Sequence, residues 1–134
     1  MDRRSTWLPR NPERGSVSVL AAAVMLMLIV MALATTDVAR ALSAASRAQA
    51  AADAAALAAA QDIVEPPSSG EMPAQTASRY ADRNGARLVD CDCRPGGTEA
   101  TVTVRVGIDG LLLLPSGREV TATARAVIDL SGAG

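Results

Sequence analysis

Residues 15–36 have the sequence GSVSVLAAAVMLMLIVMALATT, which contains no charged side chain. At 1.5 Å per residue a helix of this length is about 33 Å long, enough to cross a hydrocarbon core about 30 Å thick. The rest of the chain offers too little hydrophobic mass to enclose such a helix. The segment therefore predicts a transmembrane helix over 15–36 rather than a buried core helix.

The charges on either side of this segment predict its orientation. All 13 basic residues of the chain are arginines, and four of them precede the segment against only two acids, Asp2 and Glu13. Arginines beside a span tend to stay in the cytoplasm. We therefore expect a cytoplasmic leader over residues 1–14, a cell-membrane location with a single pass, and an extracytoplasmic chain after Thr36.

A secretory signal peptide is the alternative interpretation of the same residues. The basic start and the apolar run fit it, and Ala32-Leu33-Ala34 has the small-x-small form of a cleavage site. Cleavage there would release the rest of the chain. Against it, the helical pattern continues through the cleavage point.

Residues 37–64 predict an extracytoplasmic helix that continues the span. The sequence DVARALSAASRAQAAADAAALAAAQDIV is rich in alanine, the strongest helix former, and glycine and proline are absent until Pro66. At 100° per residue the larger apolar side chains share one face, and we expect that face to pack on the rest of the domain. These residues are Val38, Leu42, Leu57, Ile63 and Val64.

Residues 65–134 predict a small exported α/β domain. A Pro- and Ser-rich linker is followed by a short helix at 74–84, which Gly85 suits as its C-terminal cap. Alternating apolar and polar residues predict strands at 99–108 and 119–130 that pair as a hairpin with a wide loop, and a short strand at 86–90 precedes them. We therefore predict an α+β fold, with a long N-terminal transmembrane helix, a short second helix and a small antiparallel sheet of about three strands, in a pilin-like layout.

Four consecutive leucines, residues 111–114, lie between the two longer predicted strands. One interpretation is burial under the sheet, which we favour. The other is an exposed surface that binds a partner or lipid, because four consecutive leucines are hard to bury on one side.

The composition argues against catalysis and against small-molecule or nucleic-acid binding. Histidine is absent, which removes the commonest general base and metal ligand. The chain has no Gly-x-Ser-x-Gly turn and no Gly-rich phosphate loop. A net charge of −1 creates no field that would attract nucleic acid. We expect no enzyme activity, no cofactor, no metal, no nucleic acid and no small-molecule substrate.

Cys91 and Cys93 are separated by one residue. Metal binding needs more ligands than this pair supplies. Free structural thiols, a Cys-x-Cys disulfide, pairing with a partner chain and a redox switch all stay open.

Two further patterns connect the chain with a known family. Arg14-Gly15-Ser16 before an apolar helix resembles the leader of type IV pilin-like precursors, which a prepilin peptidase cuts after the glycine. Residues 49–60, QAAADAAALAAA, are similar to the helix that follows the span in TadE/TadG-like proteins of tight-adherence pilus systems, and the whole chain resembles short actinobacterial TadE-like proteins. The resemblance implies processing at Arg14, Gly15 and Ser16, with prepilin peptidase, sibling pilin-like subunits, secretion or pilus assembly proteins and the membrane as partners.

One departure from the pilin pattern limits the role that the resemblance implies. Pilins carry a glutamate five residues after the cut, which pairs with the N-terminal amine of a neighbouring subunit. Leu20 holds that place here. We therefore expect a minor pilin-like component, a pseudopilin or TadE-like protein, rather than the main fibre subunit. The alternative is a secreted or membrane-anchored envelope binding module with an ordinary signal peptide or anchor.

Overall fold

A computed structural model describes residues 14–67 and 70–129, with two helices and one three-stranded antiparallel sheet in that part of the chain. The α+β class and the predicted order of elements are confirmed. Most of the predicted leader, residues 1–13, lies outside the described residues. The elements are α1 (Arg14–Val64), α2 (Pro73–Arg83), β1 (Arg87–Asp92), β2 (Glu99–Ile108) and β3 (Arg118–Val127).

Helix α1 is a single helix of 51 residues, about 75 Å long. It continues without a break past Thr36, where the sequence changes from the uncharged segment to the alanine-rich one. From Val17 onward it is long and apolar enough to cross a membrane, and the most apolar window is not buried by the rest of the described chain. Its second half packs against α2, β2 and β3.

Helix α2 begins and ends with local signals that the sequence contains. Pro73 occupies its first turn, where a missing N–H costs nothing, and Gln75 Oε1 accepts a hydrogen bond of 3.2 Å from the N–H of Met72. At the other end the N–H of Ala86 donates to the carbonyl of Ala81 at 3.0 Å, and Gly85 has φ +71°. This is a Schellman cap, and only glycine adopts that φ without cost.

The sheet has the order β1-β2-β3 and two chemically different faces. Alternate residues of β2, from Ala100 to Val106, are buried against the helices, as the sequence pattern predicted. On the opposite face a hydrogen bond of 2.9 Å joins Thr103 Oγ1 and Thr123 Oγ1, and Arg125 pairs with Glu99 across the strands. The sheet therefore covers α1 with one face and leaves a polar face to solvent.

The face of α1 that carries the sheet is the alanine face, which corrects the expectation from the sequence. Ile63 is the one residue of the predicted apolar face that is buried; Val38, Leu42, Leu57 and Val64 are exposed. Small side chains let the helix axis lie close to the sheet, whereas a leucine at the contact would hold the two layers apart. The buried apolar residues of the helix are Ala44, Ala48, Ala51, Ala52, Ala55, Ala56, Ala58, Ala59, Ala60 and Ile63.

This packing predicts that substitutions at two neighbouring positions of α1 change the free energy of unfolding by very different amounts. Ala59→Leu adds three carbons at a residue with 0% exposure, so it should lower the free energy of unfolding by about 1–3 kcal/mol through overpacking. Leu57→Ala removes an exposed side chain and should change it by less than about 0.5 kcal/mol. Guanidinium unfolding of the full chain in detergent micelles, followed by circular dichroism, measures both. A larger loss from Leu57→Ala would mean that the wrong face has been assigned to the core.

Candidate membrane and assembly interface

The predicted span presents apolar side chains in every direction. From Val17 to Met31 its large apolar residues are between 47% and 71% exposed, and no described part of the chain covers them. Near its outer end the hydroxyls of Thr35 and Thr36 both donate to the carbonyl of Ala32 at 2.9 Å. Those two polar groups are therefore satisfied within the helix, as a lipid environment requires. The surface is suited to lipid or to other membrane helices.

The predicted processing residues lie where α1 starts. Arg14 is the first helical residue, and Gly15 and Ser16 follow in the first turn; the structure describes their backbone but not their side chains. Leu20, in the place of the pilin glutamate, is 66% exposed. Processing itself stays a prediction.

Asp37 is the first charged residue after the uncharged segment, and it is only 4% exposed. Its Oδ1 and Oδ2 atoms accept hydrogen bonds of 2.8 Å each from the N–H groups of Leu112 and Leu113. We call this arrangement the Asp37 clasp. It ties α1 to the leucine loop, residues 109–117, which connects β2 with β3. The sequence places Asp37 beside the membrane but contains no signal for a partner 75 residues away.

The clasp keeps the carboxylate of Asp37 ionised. The N–H groups of Leu112 and Leu113 are the main cause that lowers the pKa of Asp37 below its ordinary value of 3.8, and the nearby charge of Arg40 acts in the same direction. Desolvation opposes them without cancelling the shift. An Asp37–Arg40 ion pair, one arrangement that their spacing allows, is absent among the described residues.

Gly110 lets the leucine loop lie against α1. Its φ is +70°, and a Cβ at this position would stand 3.0 Å from Nη1 of Arg40. That nitrogen is buried and makes no hydrogen bond with the described residues. The backbone of the loop therefore approaches the guanidinium more closely than any other residue at position 110 would allow.

The leucines of the loop are not buried under the sheet, so the favoured prediction for residues 111–114 was wrong. Leu112, Leu113 and Leu114 are 53%, 49% and 47% exposed. Their backbone is fixed by the Asp37 clasp while their side chains remain accessible. The physical reason is that the alanine face of α1 already fills the inner face of the sheet.

Beyond the span, α1 carries a second set of exposed apolar residues. We call it the outer stripe; its residues are Val38, Leu42, Leu57 and Val64, and each is between 57% and 67% exposed. Asp53 lies within this stripe, where it accepts a hydrogen bond of 2.9 Å from Gln49 Nε2. The outer stripe continues the exposed surface of the span into the exported half of the helix.

Cys91 and Cys93 form a disulfide, with their Cα atoms 5.3 Å apart. Cys93 is buried in the core, and Cys91 packs against it from the end of β1. The bond closes a local ring within the end of β1, and the burial of Cys93, not the disulfide, fixes this end to the core. Because both sulfurs are used, neither cysteine is a free thiol here.

The geometry of α1 can be compared with known proteins. Residues 15–62 match the family model described as "Putative Flp pilus-assembly TadE/G-like". Over these residues, which are less than half of the chain, the protein is similar to that family. The resemblance proposed from the sequence is thereby confirmed, and it supports a role in pilus assembly in a structural, non-enzymatic family. No curated protein and no solved structure matches the chain.

The TadE/G-like match covers the long helix and stops before the sheet. It covers the span, Asp37 and the alanine face, which together make up nearly all of α1. The sheet and the leucine loop lie outside it. The TadE/G-like helix therefore contributes one partner of the Asp37 clasp, and the unmatched part of the chain contributes the other.

The clasp predicts a specific effect for Asp37→Asn. The amide presents one acceptor oxygen and one NH2 group to two N–H donors, so one hydrogen bond is lost and two donors face each other. Amide exchange at Leu112 and Leu113 should accelerate, and the melting temperature should fall. Hydrogen exchange of the full chain in micelles, resolved by mass spectrometry, measures this.

The same variant predicts a pH dependence with a definite sign. The folded pKa of Asp37 is depressed, so the stabilisation is present above about pH 4, where the unfolded chain is ionised, and is lost as the pH falls through the folded pKa. The difference between wild type and Asp37→Asn should therefore disappear in acid. Asp53→Asn is the matched control, since an amide oxygen also accepts from Gln49. Equal exchange rates in the two variants at neutral pH would contradict the clasp.

Proposed function

We propose that this chain is a minor pilin-like component, of the pseudopilin or TadE-like kind, in a tight-adherence pilus or secretion system of the bacterial envelope. The observation that carries the proposal is the exposure of apolar residues along α1, both in the span and beyond it in the outer stripe. An anchor needs exposed apolar residues only inside the bilayer. Leu42 and Leu57 lie beyond it, where an exposed leucine favours contact with another subunit.

Small and flexible side chains in the span support assembly with unlike neighbours. Helices in lipid gain no hydrophobic attraction for each other, so small residues such as Ser18, Ala22 and Ala23 favour close approach. Met25 and Met27 present adaptable exposed surfaces between the small clusters. Leu20 cannot form the salt bridge of a main pilin, which favours a minor role.

The proposed orientation places the N-terminus in the cytoplasm and the domain after Thr36 outside. The arginines before Gly15 support it through the positive-inside tendency. The Cys91–Cys93 disulfide supports it as well, because such bonds persist in oxidising compartments and are rare in the cytosol.

Subunit contact through the outer stripe predicts the effect of a double substitution. Leu42→Glu with Leu57→Glu places two charges on the outer stripe and leaves the core unchanged. The chain should therefore keep its melting temperature but no longer bind sibling subunits. A photo-reactive amino acid in place of the exposed Ser46 reports contact with sibling pilin-like subunits in cells. We expect the crosslinked products, and piliation or secretion, to fall strongly.

The matched control for this test adds the same charges elsewhere. Val89→Glu with Thr121→Glu alters exposed positions on β1 and β3 and should leave crosslinking unchanged. If the stripe variant also crosslinks and supports assembly normally, the outer stripe is not an assembly surface. Release of the domain into the medium would instead favour the binding-module alternative.

Cleavage after Gly15 and the proposed orientation together predict which fragment of the chain the membrane protects from an external protease, and at which residue this fragment starts. Protease added to the outside of spheroplasts should digest the exported domain, with the first exposed cleavage sites beyond Thr36, and leave the span intact. Sequencing of the protected fragment should find Ser16 at its start, because the peptidase cuts after Gly15. A start at Met1 would indicate an uncut anchor. Absence of a fragment together with a soluble chain starting at Thr35 would indicate a signal peptide.

A further inference from the structure

The leucine loop has no role in subunit contact through the outer stripe, since the Asp37 clasp holds it against the opposite side of α1. We propose that Leu112, Leu113 and Leu114 insert into the outer leaflet of the membrane beside the span, so that the exported domain is attached to lipid at a second point. This rests on the proposal that α1 crosses the membrane, and it is independent of a role in pilus assembly.

The first support is the height of the loop along α1. The uncharged segment ends at Thr36, so Asp37 marks the boundary of the hydrocarbon when 15–36 spans it. Side chains of a helix tilt toward its N-terminus, which directs the carboxylate of Asp37 toward the membrane. The 2.8 Å bonds place the backbone of Leu112 and Leu113 at that same level.

The second support is the exposure of the helix just below Asp37. Leu33 and Ala34 are partly covered, whereas the span before them is exposed. The loop held by Asp37 is the described segment at this level. The loop therefore extends below Asp37, alongside the last turn of the span, and its leucine side chains emerge where acyl chains begin.

The third support is the chemistry of the loop itself. From Gly110 to Gly117 it has no charged residue; the nearest charges along the chain are Asp109, the first residue of the loop, and Arg118, the first residue of β3. Its shape depends on glycines with positive φ at both ends, Gly110 and Gly117, and its position depends on backbone bonds. The leucine side chains are therefore free to enter lipid without loss of the clasp.

Lipid is a better occupant than a second subunit for this surface. The leucines lie next to the last turn of the span. If the span is in a membrane, the surface of that membrane lies at the level of these leucines. A sibling helix docked on the outer stripe lies on the other side of α1 and does not reach them. Contact of the leucines with lipid therefore requires no second protein. It requires only the membrane that the span is proposed to cross.

The test uses the full chain in phosphatidylcholine vesicles, with an environment-sensitive fluorophore on a single introduced cysteine. The Cys91–Cys93 disulfide leaves no reactive thiol among the described residues, so wild type labelled without reductant should take up no dye. Leu113→Cys is the test position. Leu28→Cys, in the middle of the span, and Val64→Cys, about 40 Å beyond Asp37, are the controls. Lipids with spin labels near the headgroup or deep in the acyl chain then report depth by quenching.

We expect a blue-shifted emission from the label at Leu113→Cys, with strong quenching by the shallow lipid label and little by the deep one. The label at Leu28→Cys should be quenched by the deep lipid label, and the label at Val64→Cys by neither. Adding Leu112→Ser and Leu114→Ser to Leu113→Cys should move that label into water, since both substitutions keep the backbone bonds to Asp37.

The outcomes separate this proposal from its premise. If the Leu113→Cys label behaves like the Val64→Cys label while the Leu28→Cys label is quenched, α1 spans the membrane and the loop does not enter it. A label at Leu113→Cys that is shielded from water but not quenched by lipid would assign the loop to a second subunit. A Leu28→Cys label that no lipid quenches would overturn both the span and the insertion.

Discussion

The hydrogen bonds between the Asp37 carboxylate and the amides of Leu112 and Leu113 set the position of the exported domain on its helix. Alanines alone define that position weakly, because a smooth face of equal small residues allows a sheet to slide by a turn. Asp37 is the one charged side chain buried in the described part of the chain, and burial of an unpaired carboxylate is costly. A shift of the sheet along the helix would break both of its hydrogen bonds. A single polar contact therefore determines where the domain begins relative to the membrane.

The core between α1 and the sheet, in the described part of the chain, is built mainly from small side chains. Val102 and Val104 are the largest side chains that are fully buried, and alanines supply most of the remaining contact. Such a core buries little area per residue, so its stability depends on close approach of the layers. The helix cannot be shortened without loss of this layer, because it supplies one side of the core.

The same helix thereby presents three surfaces to three environments. Its first half, the candidate membrane span, is exposed on all sides, its alanine face is covered by the sheet, and the residues of its outer stripe are exposed. The TadE/G-like match covers the span, nearly all of the alanine face and the outer stripe up to Leu57, and it ends before the sheet. In the proposed assembly the domain sets the level of the helix and the stripe sets its neighbours.

The sequence by itself determined the elements of this protein and its candidate membrane span. The signals are local, and local physics suffices to interpret them. They are an uncharged apolar run, an alanine-rich continuation, a proline and a glycine at the ends of α2, and alternation of apolar and polar residues in β2 and β3. Tertiary structure alone decided the packing face, the leucine loop and the cysteines. In 37–64 alanine lies on every side, so periodicity pointed to the larger side chains, although close approach of the sheet favoured the smaller ones. The clasp joins residues 75 positions apart through backbone N–H groups, which every residue except proline carries and which no sequence pattern can therefore reveal.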